Sequence, residues 1–137
     1  MAYWLVKSEP EAFSWADQLR AGVEPWTGVR NFAARNNLRA MRAGDRAFFY
    51  HSNQGREIVG IVEVAREAYP DPTAAGGDWS AVDMRAVAAL ARPVSLAALK
   101  ADPRFADLAL IRQSRLSVLA VAPAHWAMIC ALGGESG

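Results

Sequence analysis

Two apolar runs, Ala47 to Ser52 (AFFYHS) and Ile58 to Val64 (IVGIVEV), are separated only by the polar stretch NQGRE, and that arrangement predicts a β-hairpin. Aromatic and β-branched residues fit a pleated, half-buried surface, and five polar residues are enough to reverse the chain. The second run is apolar at consecutive positions, so both of its faces need cover and it belongs in the middle of a sheet. Gly60 interrupts it, which predicts a bulge or the close approach of another group. A chain organised around such a hairpin is committed to a sheet with further layers packed over it.

The remaining elements follow from local signals. Tyr3 to Val6 predicts a first strand, and Ser14 with Asp17 three residues later and Gly22 beyond carries the start and stop of a short helix. Gly44-Asp45 predicts a turn, and Tyr69 to Asp78 (YPDPTAAGGD) a loop, followed by a strand from Trp79 to Ala88 and a helix capped by Ser95. Arg115 to Val121 predicts the last strand; Pro123 opens a closing helix that Gly133-Gly134 stops, with Trp126, Ile129 and Cys130 at core spacing. Hairpin connections outnumber crossovers, so the expected fold is mixed α+β, a small β-barrel of about five to six strands with peripheral short helices, and residues 1–137 form a single domain.

Composition closes several functional classes. A net charge of +1 argues against a protein that coats nucleic acid through many phosphate contacts. The lone Cys130 leaves no internal disulfide, and the opening MAYWLVKSEP has neither a basic start nor a long apolar run, so a cytoplasmic protein is expected. No stretch reaches the ~20 apolar residues of a membrane-spanning helix. Two histidines and one cysteine at no ligand spacing predict no metal site, and neither a Walker loop nor a dinucleotide glycine fingerprint is present, so no cofactor is expected.

Against that near-neutral background, Trp26 to Met41 (WTGVRNFAARNNLRAM) sets Arg30, Arg35 and Arg39 among asparagines beside Trp26, and only Asp45 answers these arginines together with Arg42 and Arg46. Arg offers a planar fork for phosphate or guanine, Asn a donor beside an acceptor, and Trp a face on which a base can stack. In the predicted helix Ala34, Leu38 and Met41 share an apolar face, while Asn31, Arg35 and Arg39 recur on another. The plain alternative is a solvated helix face.

The segments YWLVKSEP, WTGVRNFAARNNLRAM, FFYHSN, IVGIVEVAREAYPDPTA and LSVLAVAP resemble, in order and over nearly the whole chain, the EVE domain, a member of the PUA-like superfamily related to YTH domains. The resemblance implies a twisted PUA-like barrel and a non-catalytic pocket that takes a flipped-out, modified base of DNA or RNA. Related YTH pockets carry Lys-Ser-Asn before the first helix; here the run is Lys7-Ser8-Glu9, so their methyladenine specificity does not transfer.

A flipped base needs a stacking wall, edge hydrogen bonds and phosphate contacts. Trp26, in a polar stretch, is the expected wall, whereas Trp4, Trp15 and Trp126 fall at core spacing; Trp79 is open, and Tyr50 and Tyr69 supply further rings. Ser8, Glu9, Asn31, His51 and Ser52 are the candidates for edge recognition, with Lys7 of the same run also expected at the ligand, and Glu9 can accept the exocyclic amine of cytosine. Arg30 and Arg35, with Arg39, are candidates for phosphate, and Arg112 and Arg115 for a second basic edge. The expected partner is nucleic acid bearing a modified base, bound by a monomer. The rival readings are a module for a free nucleotide or small anion and a small nucleotide-processing enzyme, for which Ser8, His51 and Asp71 supply hydrolase residue types without a positioning motif.

Overall fold

Alternate residues of the first and third strands serve two different cores, and this period of two organises the molecule. The computed structural model describes residues 1–135. Its elements are β1 (Tyr3–Ser8), α1 (Trp15–Ala21), β2 (Val23–Trp26), α2 (Phe32–Ala40), β3 (Arg46–His51), β4 (Glu57–Pro70), β5 (Ser80–Ser95), α3 (Leu96–Ala101), a 3-10 turn (Pro103–Phe105), α4 (Ala109–Arg112), β6 (Val118–Val121) and α5 (Pro123–Leu132). Leu5, Phe48, Tyr50, Ile58 and Ile61 face one core, which α3, α4 and α5 cover with Leu99, Leu110, Trp126 and Ile129. Trp4, Val6, Ala47, Phe49, Val62 and Val64 face the other, beneath α1 and α2. A shift of one residue in register would send each set to the wrong side, so the two cores fix the pairing.

The six strands are ordered β2-β5-β4-β3-β1-β6. The β3–β4 hairpin forms as expected, and β4 is central, between β5 and β3. All neighbours are antiparallel except β1 and β3, which run parallel. Gly60 meets both expectations: the β4–β5 register shifts beside it, and a Cβ there would lie 2.5 Å from the Trp15 ring.

The fold is mixed α+β, but the sheet is open where a barrel was expected. Its ends are β2 and β6, and among the described residues no ladder joins them. Both are four residues long, and Pro25 removes a donor from β2. Helix α2 reaches across instead: it packs against β6, β5 and β4. The Asn37 amide donates to the Val118 carbonyl (2.7 Å) and Arg39 Nε to Ser80 Oγ (2.8 Å), while Ala34 and Leu38 are fully buried.

Short helices need explicit ends. Ser14 accepts from the Asp17 amide and Asp17 accepts in return from the Ser14 amide, the reciprocal cap that the sequence predicts, and Gly22 ends the helix at φ 72°. The predicted strand from Trp79 runs on to Ser95, and the predicted last strand begins three residues late, at Val118, because the Leu116 amide turns back to the Gln113 carbonyl. Among the described residues no helix is long and apolar enough to cross a membrane.

Candidate nucleic-acid interface

The end of β1, the turn after it and the end of β2 enclose a cavity of about 550 Å³. β1 delivers Lys7 and Ser8 to its rim; the following turn is closed by the Ala12 and Phe13 amides donating to the Glu9 carbonyl, and by Ser8 Oγ donating to the Phe13 carbonyl at 2.5 Å. These bonds leave the Glu9 side chain exposed on the wall. β2 ends on Trp26, and Thr27 and Gly28 complete the opening.

Trp26 is less exposed than its polar neighbourhood predicts. At 9% exposure it belongs to the core under α1 and α2, edge-on to Phe49 (5.6 Å between centroids) and Phe13 (6.1 Å). The indole is therefore both a core residue and part of the cavity wall, held by rings that fix its plane. Trp4, Trp15 and Trp126 are buried, as their spacing predicts. Trp79 stacks on Phe32, with centroids 5.1 Å apart.

The loop from Gly28 is clamped by Asp71, whose side chain is fully buried. Asp71 Oδ2 accepts from the Gly28 amide (2.8 Å) and from Arg30 Nη1 (2.9 Å), and Oδ1 accepts from the Thr73 amide (2.8 Å) and hydroxyl (2.7 Å). Burial alone pushes this carboxyl upward, but the bonds from Thr73, Gly28 and Arg30 outweigh it and hold the group well below the usual carboxylate range.

A second cavity, of about 510 Å³, shares Lys7 and Glu9 with the first and lies between the β3–β4 turn, α3 and the loop before β6. Tyr50 and Ser52 line it. Burial pushes the Tyr50 hydroxyl up and the Lys7 ammonium down, and Lys7 Nζ donates to the Ser114 carbonyl (2.8 Å).

The candidate residues thus divide. Lys7, Ser8, Glu9 and Trp26 line the first cavity; Lys7, Glu9, Tyr50 and Ser52 line the second. Arg30 is held by Asp71, and Arg35 donates to the Asp78 carbonyl (3.1 Å) with its guanidinium 5.0 Å from the Phe32 ring. Arg39 pairs with Asp78 (2.6 Å). These arginines, expected at phosphate, are engaged in tying α2 and its approach to the β4–β5 loop. Asn31 caps α2, its Oδ1 accepting from the Ala34 amide (3.0 Å), and lines a separate shallow cavity with Arg112 and Arg115. Tyr69 donates to Asp83 (2.5 Å) under the Arg66 guanidinium; burial, then the Asp83 carboxylate, push its hydroxyl up to about 12.

His51 lines neither of these two cavities. Its Nε2 accepts from the Trp15 amide (3.0 Å), the first unpaired donor of α1, which requires the ring to be neutral with its proton on Nδ1. Ser8, His51 and Asp71 therefore bond to different partners and do not bond to one another. Among the described residues no group of three or more His, Cys, Asp or Glu is placed to hold a metal ion. Phe13, Thr27, Arg56, Lys100 and Ser114 also line these cavities without having been expected there. Only the Gly28 turn beside Trp26 signals Thr27 in the sequence, and nothing local signals the others.

The EVE domain sequence model matches residues 2–132. Mouse thymocyte nuclear protein 1 is 42% identical across 72% of this chain and 55% of that protein, so the chain spans about half the length of this relative. A crystal structure of an Agrobacterium tumefaciens protein, 47% identical, superposes with a TM-score of 0.97 over 100% of this chain and 96% of that one. The human THYN1 protein, crystallised in complex with 5-methylcytosine containing DNA, is 31% identical with a TM-score of 0.90, and the match covers 100% of both chains. A YTH domain of Zygosaccharomyces rouxii shares the fold at 18% identity, with a TM-score of 0.62 over 96% of this chain and 86% of that one.

Proposed function

Since the chain belongs to the EVE domain family, we propose that it reads a modified base in nucleic acid, binding the base in the Trp26 cavity without changing it chemically. The observation that carries this reading is the convergence of Lys7, Ser8, Glu9 and Trp26 on one opening from the end of β1, the turn after it and the end of β2. An aromatic wall supplies stacking, and Ser8, Glu9 and Thr27 supply the few directed polar groups that a base edge needs. A carboxylate is acceptor-only, so Glu9 suits the exocyclic amine of cytosine. The complex formed by the human relative, whose match spans both chains, makes 5-methylcytosine the first base to test.

In this reading residues 1–137 act as one domain and a monomer, and the open sheet with α2 packed across it serves as an incomplete barrel that holds the cavity rigid. His51 and Asp71 have structural roles in it, and Ser8 Oγ, whose proton goes to the Phe13 carbonyl, is left to accept from the base. Stacking is worth ~1–3 kcal/mol per base, comparable to the few kcal/mol needed to unstack one, so the edge contacts decide affinity.

Titration of short single strands carrying one modified cytosine or adenine, against unmodified strands of the same sequence, tests this. Tighter binding of one modified strand, recovered intact by mass spectrometry, is expected. Equal binding of all strands contradicts base reading. Conversion of a strand to a new product makes the chain an enzyme, and binding of a free nucleotide as tight as that of the strand makes it a small-ligand module.

A further inference from the structure

Arg30, Arg35 and Arg39, which the sequence singles out on α2 and its approach, are paired with carboxylates, while four cations outside any ion pair gather around a different cavity. Lys7, Arg56, Lys100 and Arg115 line the space between the β3–β4 turn, α3 and the loop before β6, and among the described residues none of them is ion-paired. Arg30, Arg35 and Arg39 by contrast face Asp71 and Asp78. Four cations against Glu9 as the one carboxylate on that wall give a strongly positive concavity in a chain of net charge +1.

The turn that presents Arg56 is itself unusual. Asn53 and Arg56, both on the cavity wall, adopt left-handed backbone conformations with φ of 67° and 49°. Asn tolerates this region and Arg does so at a cost, so the surrounding structure must hold it there. It does so through the Leu96 amide, which donates to the Arg56 carbonyl at 2.9 Å. Ser52 and Ser114 add hydroxyl groups to the same wall.

We propose that this cavity binds the phosphodiester backbone of the strand whose base occupies the Trp26 cavity. The proposal rests on the base-binding reading. The two cavities meet at Lys7 and Glu9. Glu9 repels phosphate at that shared rim and favours a base amine there, so the backbone passes over the far side, where Lys100 and Arg115 stand. Paired arginines around α2 then position protein against protein, and the unpaired cations position the strand.

The test compares wild type with the double variant Lys100→Ala/Arg115→Ala, and with Arg85→Ala, whose partner is Glu63, as control. Lys100 and Arg115 are exposed, so their replacement leaves the cores untouched. Each protein is titrated, over a range of salt, with 5-methyldeoxycytidine, with a short single strand carrying one central 5-methylcytosine, with the same strand unmethylated, and with inorganic phosphate. The double variant is expected to bind the strand about tenfold more weakly at low salt. Its slope of log affinity against log salt should fall by about 1.4, roughly 0.7 for each of the two phosphates that it no longer neutralises. Nucleoside binding and Arg85→Ala stay at wild-type values. Unchanged strand affinity and slope in the double variant overturn the proposal. So does displacement of the strand by inorganic phosphate at the concentration at which the strand itself binds, which makes the cavity a site for free anions. If wild type binds methylated and unmethylated strands alike and the double variant still shows the shallower slope, the base-reading function fails and the backbone site stands.

Discussion

Arg30 and Asp71 form an ion pair of 2.9 Å in which the carboxylate is fully buried and the guanidinium partly exposed, joining the loop after β2 to the loop between β4 and β5. The same carboxylate oxygen accepts from the Gly28 amide on the cavity rim. Asp71→Asn keeps the shape but turns an acceptor-only group into one that must present an amide to donors, and it is expected to cost about 1–3 kcal/mol. Urea unfolding of the two proteins measures this.

The same pair predicts how stability changes in acid. The native Asp71 carboxyl protonates below its ordinary range, so as pH falls through about 4 the unfolded chain takes up a proton that the native state refuses. The stability that Asp71 contributes is fully present above that pH and is lost below it. The gap between wild type and Asp71→Asn should therefore narrow in acid. A gap independent of pH down to about 3 would show that the charge of Asp71 contributes nothing.

Gly60 lies beneath Trp15 with no room for a side chain. Gly60→Ala forces the indole away from Phe49, 5.3 Å distant, and shifts the start of α1, with an expected cost of about 1–3 kcal/mol. Thermal unfolding reads the cost; a variant as stable as wild type would mean that Trp15 moves freely.

His51 predicts a second pH dependence. Burial lowers its affinity for a proton, with the Glu57 charge opposing, and the bond from the Trp15 amide needs the neutral ring. Below about 6.5 the unfolded chain binds the proton more readily than the native one, so this contribution is complete above that pH and falls as pH drops. His51→Gln should remove that part of the slope below about pH 6.5. Because His51 holds the start of α1 and lines neither cavity, base discrimination should survive in the variant; its loss would place the ring at the ligand.

These relationships also show what local sequence can carry. The α1 cap, the β3–β4 hairpin, the central position of β4 and the Pro123 start of α5 were legible because each depends on residues a few positions apart. β2 was not: four residues with Pro25 in their midst look like loop, and only pairing with β5 makes them a strand. The open sheet was not legible either, because its closure is replaced by long-range bonds from α2 to Val118 and Ser80. At the site, Lys7-Ser8-Glu9 and Trp26 stand out by their chemistry. The arginines of α2 and its approach suggest phosphate binding on their own, because Asp71 and Asp78, which engage them, lie some forty residues away. Arg115 stands out in sequence only beside Arg112, Arg56 and Lys100 stand alone, and only the fold makes the three one surface.

The central claim is that a modified base sits against Trp26. Nuclear Overhauser contacts between the 5-methyl protons of a bound single strand bearing one 5-methylcytosine and the protein's assigned ring protons measure this directly. The account predicts contacts to Trp26 and Phe13, which Trp26 meets edge-on. Saturable binding with methyl contacts to Phe32 and Trp79 alone would put the base on the outer face of α2 and contradict it.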